Sequence, residues 1–199
     1  MGVTFDDTTK KFVFDFEHDG AEDIVSLTSN GYQVKAFGKC FYYGYEFTEQ
    51  VESSIRTAFI KYVKFTNDLQ NTPNLTDFIK NAIDNLHKKI NLYNFDLVVM
   101  PESSSKVNQY MLRYIYRFAQ PTLYKMTLVK NLPSNTSLSE EERELCSIIR
   151  QQNVLIIDDV TTSGSTLNEV LRTLRILNED NNISIFSLIG RKDLMVESI

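Results

Sequence analysis

The sequence predicts an α/β fold, in which a parallel sheet is flanked by helices on both faces and preceded by a β-rich N-terminal segment. Two apolar runs of strand length, residues 96–100 and 154–157, are each followed by a polar loop and an amphipathic helix. From about residue 96 the predicted elements alternate as β–α–β–α–β–α–β, which is typical of a parallel sheet with right-handed crossovers. Residues 11–47 instead carry alternating aromatic side chains, which indicates short antiparallel strands.

The length and composition of the chain favour one globular domain. With 199 residues, of which 42% are hydrophobic and 24% charged, it has the size and composition of an ordinary soluble domain. We therefore expect residues 1–199 to form a single domain, with 1–47 as its β-rich segment and 48–199 as its α/β core. The net charge of −5 argues against a nucleic-acid-binding surface.

The sequence shows no targeting or membrane-spanning segment. Residues 1–11 are polar and acidic, unlike a signal peptide. No apolar run approaches the ~20 residues that a membrane-spanning helix needs. We therefore expect a cytoplasmic protein with neither a membrane nor a nucleic acid among its partners.

Apolar periodicity defines the remaining elements. The aromatic alternation through residues 41–47 is explained better by core packing than by a base-binding surface. Helical spacing of apolar residues predicts helices over 48–65 and 76–90. The other expected elements are strands at 123–130 and 183–189, helices after residues 106 and 166, and a helix introduced by the capping box of Ser139 and Glu142.

The most informative stretch is 154–166, where an apolar strand runs into two acids, a hydroxyl-rich loop and a helix. A loop between a strand and a helix N-terminus is where α/β sheets bind ligands, and its free N–H groups favour anions. Gly164 lets the backbone approach a phosphate closely. The carboxylates of Asp158 and Asp159 are unsuited to a phosphate, but they suit vicinal hydroxyls or a hydrated Mg²⁺. A sugar phosphate satisfies both halves of this motif.

An apolar run that ends in Asp-Asp also occurs in the magnesium-binding strand of P-loop NTPases. That class requires the pattern Gly-x-x-x-x-Gly-Lys-Ser/Thr. Here the Gly38-Lys39 pair is followed by Cys40 and lacks the upstream glycine, which disfavours this alternative. A strand–turn–helix without function stays open, although acids, hydroxyls and glycine align over a long stretch.

The stretch resembles the phosphoribosyl-diphosphate (PRPP) motif of the type I phosphoribosyltransferases, in which paired acids end a strand and a Thr/Ser-Gly loop follows. The resemblance implies that the acids bind the ribose 2- and 3-hydroxyls and that the loop holds the 5-phosphate. The PRPP-binding residues would be Asp158, Asp159, Thr161, Thr162, Ser163, Gly164, Ser165 and Thr166. Position 161 is usually apolar in the family. Oxopurine-specific members carry Asp at position 162, so Thr162 argues against a hypoxanthine–guanine-type enzyme.

A second strand–loop–helix unit, at residues 96–118, offers another anion site. The resemblance implies that the pyrophosphate of PRPP is held there by Ser103, Ser104, Ser105 and Lys106. Residues 105–109 are similar to the basic–aromatic–Asn-Gln stretch of the competence-type (ComF-like) members, the nearest in motif layout. The glycine usual in that stretch is missing, and Glu102 adds negative charge. A serine-rich helix cap is the alternative explanation of this loop.

The resemblance implies a Mg²⁺-dependent transfer of a 5-phosphoribosyl group from PRPP to a nucleobase or related small-molecule acceptor, with release of pyrophosphate. Asp158 and Asp159 would contribute to catalysis by fixing the ribose. Lys130 is the nearest basic candidate beside a loop, 131–138, that would close over the site. Mg²⁺ would be held by PRPP, through water to Asp158, and not by direct protein ligands.

Two further questions are left open by the resemblance. A noncatalytic PRPP- or nucleotide-binding regulatory module on the same fold is the alternative to an enzyme. Both the enzyme and the regulatory module could form a homodimer. Residues 1–47 would correspond to the hood that carries acceptor specificity in the family, and the acceptor itself is not indicated by any motif.

Overall fold

The computed structural model describes residues 2–18, 21–36, 39–47, 51–65, 74–101, 105–118, 122–126, 153–161, 164–177 and 182–190. Within these ranges, eight strands form one sheet in the order β1-β2-β3-β4-β8-β7-β5-β6. The strands are β1 (Gly2–Asp6), β2 (Lys11–His18), β3 (Ala21–Ala36), β4 (Lys39–Phe47), β5 (Leu97–Pro101), β6 (Thr122–Met126), β7 (Asn153–Val160) and β8 (Asn182–Ile189).

The sheet has an antiparallel half and a parallel half. Strands β1 to β4 are antiparallel neighbours, whereas β4, β8, β7, β5 and β6 run parallel. The α/β class with a β-rich N-terminus is therefore confirmed, and the N-terminal strands extend the same sheet because β4 pairs with β8. They are not all short as predicted, since β3 spans 16 residues and contains an irregularity of register between Ser29 and Tyr32.

The described residues form four α-helices and one 3₁₀ turn. They are α1 (Ser53–Phe65), α2 (Leu75–Lys89), the turn Leu92–Asn94, α3 (Lys106–Ile115) and α4 (Ser165–Leu177). The helix predicted from residue 48 begins later, because its first hydrogen bond runs from the Arg56 N–H to the Glu52 carbonyl oxygen at 2.9 Å. None of these helices is long and apolar enough to cross a membrane. The predicted capping box at Ser139 and its helix lie outside the described residues.

The parallel strands are wound in two opposite directions from the middle of the sheet. The chain passes from β5 through α3 to β6 on one side, and from β7 through α4 to β8 on the other. Because such crossovers are right-handed, α3 and α4 cover opposite faces of the sheet. The winding therefore reverses between β5 and β7, and open α/β sheets bind their ligands outside the strands at such a reversal.

An aromatic cluster fills the core beneath α1, α2 and α3. Tyr45 of β4 stacks on Phe78 of α2 with ring centroids 3.8 Å apart, and Phe12 meets Phe78 edge-on at 5.1 Å. The aromatic side chains of β4 at positions 41, 42, 43 and 45 are buried, which confirms that their alternation reflects core packing. Gly44 allows α2 to approach this closely, because a Cβ at that position would lie 2.7 Å from the Ala82 Cβ.

Successive residues of β7 lie on opposite faces of the sheet. Leu155 and Ile157 belong to the core cluster beneath α1, α2 and α3, whereas Val154 and Ile156 are buried outside that cluster. The second face is the one covered by α4. The buried apolar stripe of α4 consists of Leu167, Val170, Leu171 and Leu174.

Candidate active site

Buried polar side chains are concentrated at the carboxyl ends of the parallel strands, beside the reversal of winding. Among the described residues, the buried polar or charged side chains other than tyrosine are Ser105, Asn108, Asp158, Asp159, Thr161 and Ser187. All of them lie near the end of β7 or β8 or at the start of the helix that follows β5. Burying polar groups is unfavourable unless they gain partners, so their concentration makes this edge the candidate functional edge of the sheet.

Asp158 and Asp159 lie inside β7, directly after the apolar run 154–157 that predicts the strand. The strand continues to Val160, and Asp158 pairs in register with Ser187 of β8. Because side chains alternate along a strand, Asp159 shares the face of Leu155 and Ile157, and Asp158 lies on the other face. The Asp159 N–H donates to Oδ1 of Asp158 at 3.0 Å, and the Val160 N–H donates to Oδ1 of Asp159 at 2.6 Å.

Lys64, in the last turn of α1, forms an ion pair with Asp159. Its Nζ lies 3.0 Å from Oδ1 of Asp159, whose side chain is 1% exposed, while the Lys64 side chain is 33% exposed. Sequence reasoning missed this residue. The available signal was indirect: an aspartate buried at a strand end needs a cation, but the local pattern does not distinguish Lys64 from Lys61, the other lysine of that helix.

The electrostatic environment favours the neutral form of Asp158. The pKa of its carboxyl is raised from 3.8 to about 7, mainly by burial and next by the negative charge of Asp159. The Lys64 ammonium and the Asp159 N–H favour the carboxylate and lower the pKa in part. A bound cation, or a hydroxyl that donates a hydrogen bond to the carboxylate, would shift Asp158 back to its charged form.

The hydroxyl loop, residues 161–166, links the end of β7 to the N-terminus of α4. The Thr161 N–H donates to the Ile189 carbonyl oxygen at 3.0 Å, and its buried hydroxyl is hydrogen-bonded to that of Ser187. These contacts explain how a threonine is accommodated at a position that is usually apolar in the resembled family. Gly164 has a φ of 73°, a left-handed conformation that favours glycine, and it accepts the first helical hydrogen bond of α4.

The described residues of the hydroxyl loop leave its helical end accessible. Ser165 is exposed and Thr166 is half-buried at the start of α4. Thr162 and Ser163, which the sequence also assigned to phosphate binding, lie outside the described residues. The backbone of Gly164 and the first turn of α4 together provide the N–H groups of a helix N-terminus, which favours an anion.

The serine loop, residues 101–106, lies after β5 on the other side of the reversal. Ser105 precedes α3 and is buried, and Lys106 is exposed in the first turn of that helix. The buried amide of Asn108 has no hydrogen-bond partner among the described residues. Glu102, Ser103 and Ser104 lie outside the described part of the chain, as does Lys130. The structure thus brings Ser105 and Lys106 to the same sheet edge as the two acids.

Asp158 and Asp159 are the carboxylates at this edge that could contact a metal ion brought in by a ligand. In the ranges that the structure describes, no group of three or more His, Cys, Asp or Glu side chains is placed to hold a metal ion. Mg²⁺ commonly takes one or two carboxylates together with substrate phosphates and water. Asp158 is the carboxylate that the sequence resemblance assigns to such an ion, through a bridging water.

Comparison with protein families gives a match over most of the chain. The model of the phosphoribosyl transferase domain matches residues 66–192. The matched range contains β5 to β8, both loops and both acids, and it begins just after α1. A comparison with curated proteins gives no match.

Solved structures of low sequence identity resemble parts of the chain. A hypoxanthine phosphoribosyltransferase from Staphylococcus aureus is 17% identical, with a TM-score of 0.43, over 62% of this chain and 69% of its own. A purine phosphoribosyltransferase from Pyrococcus horikoshii is 16% identical, with a TM-score of 0.40, over 58% and 83%. A hypoxanthine-guanine phosphoribosyltransferase from Bacillus anthracis is 14% identical, with a TM-score of 0.38, over 59% and 67%. Values this low do not bear on the acceptor.

Proposed function

The chain belongs to the phosphoribosyl transferase domain family, and from this premise we propose that it is a Mg²⁺-dependent phosphoribosyltransferase. It would transfer the 5-phosphoribosyl group of PRPP to a nitrogen of a nucleobase or related acceptor and release pyrophosphate. The observation that carries the proposal is the joint position of the two acids and the hydroxyl loop at the reversal between β5 and β7.

The ribose would be bound by the two carboxylates at the end of β7. Asp158 would accept a hydrogen bond from one hydroxyl as its carboxyl ionises. Asp159 has its Oδ1 engaged by Lys64 and the Val160 N–H, whereas its Oδ2 has no partner among the described residues. That oxygen is therefore the atom of Asp159 we assign to the second hydroxyl.

The phosphate groups of PRPP would lie on the two loops. The 5-phosphate would accept hydrogen bonds at the N-terminus of α4, where the proposed donors come from Thr162, Ser163, Gly164, Ser165 and Thr166. Thr161 would hold the start of this loop on the sheet, since its N–H and hydroxyl already bond to β8. The pyrophosphate would lie at the N-terminus of α3, on Ser103, Ser104, Ser105 and Lys106.

Catalysis would depend on positioning and on electrostatic stabilisation of an oxocarbenium-like transition state. The two acids would hold the ribose by its hydroxyls and place negative charge near the developing cation. Lys130 would approach with the loop 131–138, which would exclude water from the reacting centre. Mg²⁺, carried in with PRPP, would neutralise the leaving pyrophosphate.

Several features of the whole chain complete the proposal. Residues 1–199 would fold as one domain, supported by the direct pairing of β4 with β8. Within the family, the competence-type members would be nearest in motif layout, on the strength of residues 105–109. Thr162 supports an acceptor other than hypoxanthine or guanine. The enzyme would act in the cytoplasm, and light scattering would show whether it forms the homodimer that the resemblance allows.

Pyrophosphate release tests the proposed activity. The protein would be incubated with Mg²⁺, PRPP and each of a panel of purine and pyrimidine bases, with pyrophosphate measured by a coupled assay. Release that depends on one base supports the enzyme. Binding of PRPP without turnover on any base supports the regulatory module, which is favoured by the negative charge of Glu102 and the missing glycine in the serine loop. Absence of PRPP binding contradicts both functions.

A further inference from the structure

The ion pair between Lys64 and Asp159 joins α1 to the end of β7. The Asp159 side chain is 1% exposed, so its charge receives little stabilisation from water. A buried carboxylate that loses its only cation becomes strongly unfavourable. In the part of the chain that the structure describes, Lys64 is the cation paired with Asp159, and its own partial exposure keeps the ammonium hydrated on one side.

The two carboxylate oxygens of Asp159 differ in their contacts. Lys64 and the Val160 N–H both bond to Oδ1, at 3.0 and 2.6 Å. Oδ2 is buried and has no partner among the described residues. Fixing one oxygen sets the rotation of the carboxylate and therefore the direction of the other oxygen.

The same contacts fix the backbone from which the hydroxyl loop starts. Oδ1 of Asp159 holds the Val160 N–H, and the next residue, Thr161, is held on β8 through the Ile189 carbonyl oxygen. The Asp159 N–H in turn bonds to Oδ1 of Asp158. A movement of the Asp159 carboxylate would therefore release the Val160 N–H at the beginning of the loop.

We propose that Lys64 is a positioning residue, which holds Oδ1 of Asp159 and so presents Oδ2 to the ribose of PRPP. Its effect on PRPP rests on the proposed function, whereas its pairing with Asp159 does not. Lys64 lies outside the matched range 66–192. The ion pair therefore connects the N-terminal part of this chain to one of the two acids in the matched range. The positive charge also opposes the repulsion between the two neighbouring carboxylates, and it lowers the pKa of Asp158.

The test combines two substitutions at the pair with a matched control. Lys64→Met removes the charge and keeps most of the length of the side chain, and Lys64→Arg keeps the charge. Lys61→Met makes the first change at an exposed lysine of the same helix. Mg²⁺·PRPP affinity is measured by calorimetry, KM and kcat by pyrophosphate release, and the thermal midpoint is measured without ligand.

We expect Lys64→Met to weaken PRPP binding about 10- to 100-fold, the range for losing one hydrogen bond to a charged group. The loss should fall on KM for PRPP more than on kcat. Lys64→Arg should restore most of the affinity, and Lys61→Met should leave it within about twofold of the wild type. A folded Lys64→Met protein that binds PRPP like the wild type, or an equal loss in Lys61→Met, would overturn the proposal.

A double-mutant cycle tests the ion pair without reference to PRPP. The thermal midpoints of Lys64→Met, Asp159→Asn and the double variant are compared with that of the wild type. Coupling means that the change in the double variant differs from the sum of the two single changes, with Asp159→Asn less destabilising, or more stabilising, in the Lys64→Met protein, where it removes an uncompensated buried charge. Additive losses would overturn the pairing. If the wild type binds no PRPP, the proposed function fails while this cycle still decides whether Lys64 and Asp159 are coupled.

Discussion

At the two ends of the parallel strands, polar side chains lie in opposite environments. At the carboxyl end, Asp158 and Asp159 are buried, and one oxygen of Asp159 has no partner among the described residues. At the amino end, Asp96 accepts the Asn153 N–H at 2.9 Å, and the Asn182 amide donates to the Asn153 side chain at 3.1 Å, both in exposed positions. At the amino end, exposed polar groups connect the strands with little cost in desolvation. At the carboxyl end, buried carboxyl groups lower the stability of the fold when they ionise.

The surface at the amino end has a different chemistry as well. A cavity there is lined by amides, a hydroxyl and apolar groups: Ile90, Asn91, Asn94, Phe95, Asn153, Asn182 and Ser184. Its described lining contains no carboxylate and no cation. A concave surface alone therefore does not identify a reactive site, whereas a buried carboxyl with a shifted pKa makes its surroundings a candidate for one. The comparison predicts that neutralising the buried carboxyl of Asp158 raises stability and weakens binding.

The largest effect on stability is expected from Asp158→Asn. The raised pKa means that the stability contributed by the protonated carboxyl is complete below pH 3.8 and is lost as the pH rises through about 7. At about 1.4 kcal/mol for each tenfold change in ionisation, the full loss is up to about 4 kcal/mol. The amide cannot ionise, so the ligand-free variant should be more stable than the wild type, and by more at about pH 8 than at about pH 5.

Urea unfolding at the two pH values measures the difference in stability between Asp158→Asn and the wild type. The same variant should also bind PRPP more weakly than the wild type. Equal stability differences at both pH values would contradict the assignment of the raised pKa to Asp158. Such a result would also weaken the comparison between the two strand ends, because the carboxyl end would then carry no cost of ionisation.

A smaller effect is expected at the buried hydroxyl pair of Thr161 and Ser187. Either Thr161→Val or Ser187→Ala leaves one buried hydroxyl without its partner, at a cost of about 1–3 kcal/mol. The double variant replaces both groups and should lose less than the sum of the two single losses. The free energies of unfolding of the wild type, the two single variants and the double variant give the coupling energy. If the loss in the double variant equals the sum of the two single losses, the two hydroxyls do not depend on each other.

The smallest effect is expected at the amino end. Asp96→Ala removes an exposed hydrogen bond to the backbone of β7 and should cost about 1 kcal/mol or less. PRPP affinity should stay unchanged, because the substitution lies at the opposite edge from both loops. A loss of PRPP binding in a stable Asp96→Ala protein would break the functional distinction between the two ends.

Much of this fold follows from local sequence signals. The apolar runs before residues 101 and 158 predict buried parallel strands, and the alternating aromatics predict antiparallel strands that pack on a core. The end of β7 was harder to predict, because carboxylates usually mark the end of an apolar strand. Here the strand continues through Asp158 and Asp159, since pairing with β8 persists to Val160.

The candidate site was predictable only in part. Acids, hydroxyls and Gly164 are contiguous in sequence, so the joint function proposed for them is visible in a short motif. Lys64 is almost a hundred residues away, and its contact with Asp159 is created by the packing of α1 on the sheet. The pairing of the Thr161 and Ser187 hydroxyls likewise depends on the register of β7 and β8. Such contacts between distant segments leave no local pattern in a single sequence.

The most direct measurement is the binding of Mg²⁺·PRPP to the wild type and to the double variant Asp158→Asn/Asp159→Asn, by calorimetry. Circular dichroism and thermal melting establish that both proteins are folded. We expect the wild type to bind, and the double variant to lose affinity by at least about 100-fold, because two hydrogen bonds to charged groups are removed. Equal affinity of the two folded proteins would contradict the assignment of the acidic pair as the ribose site.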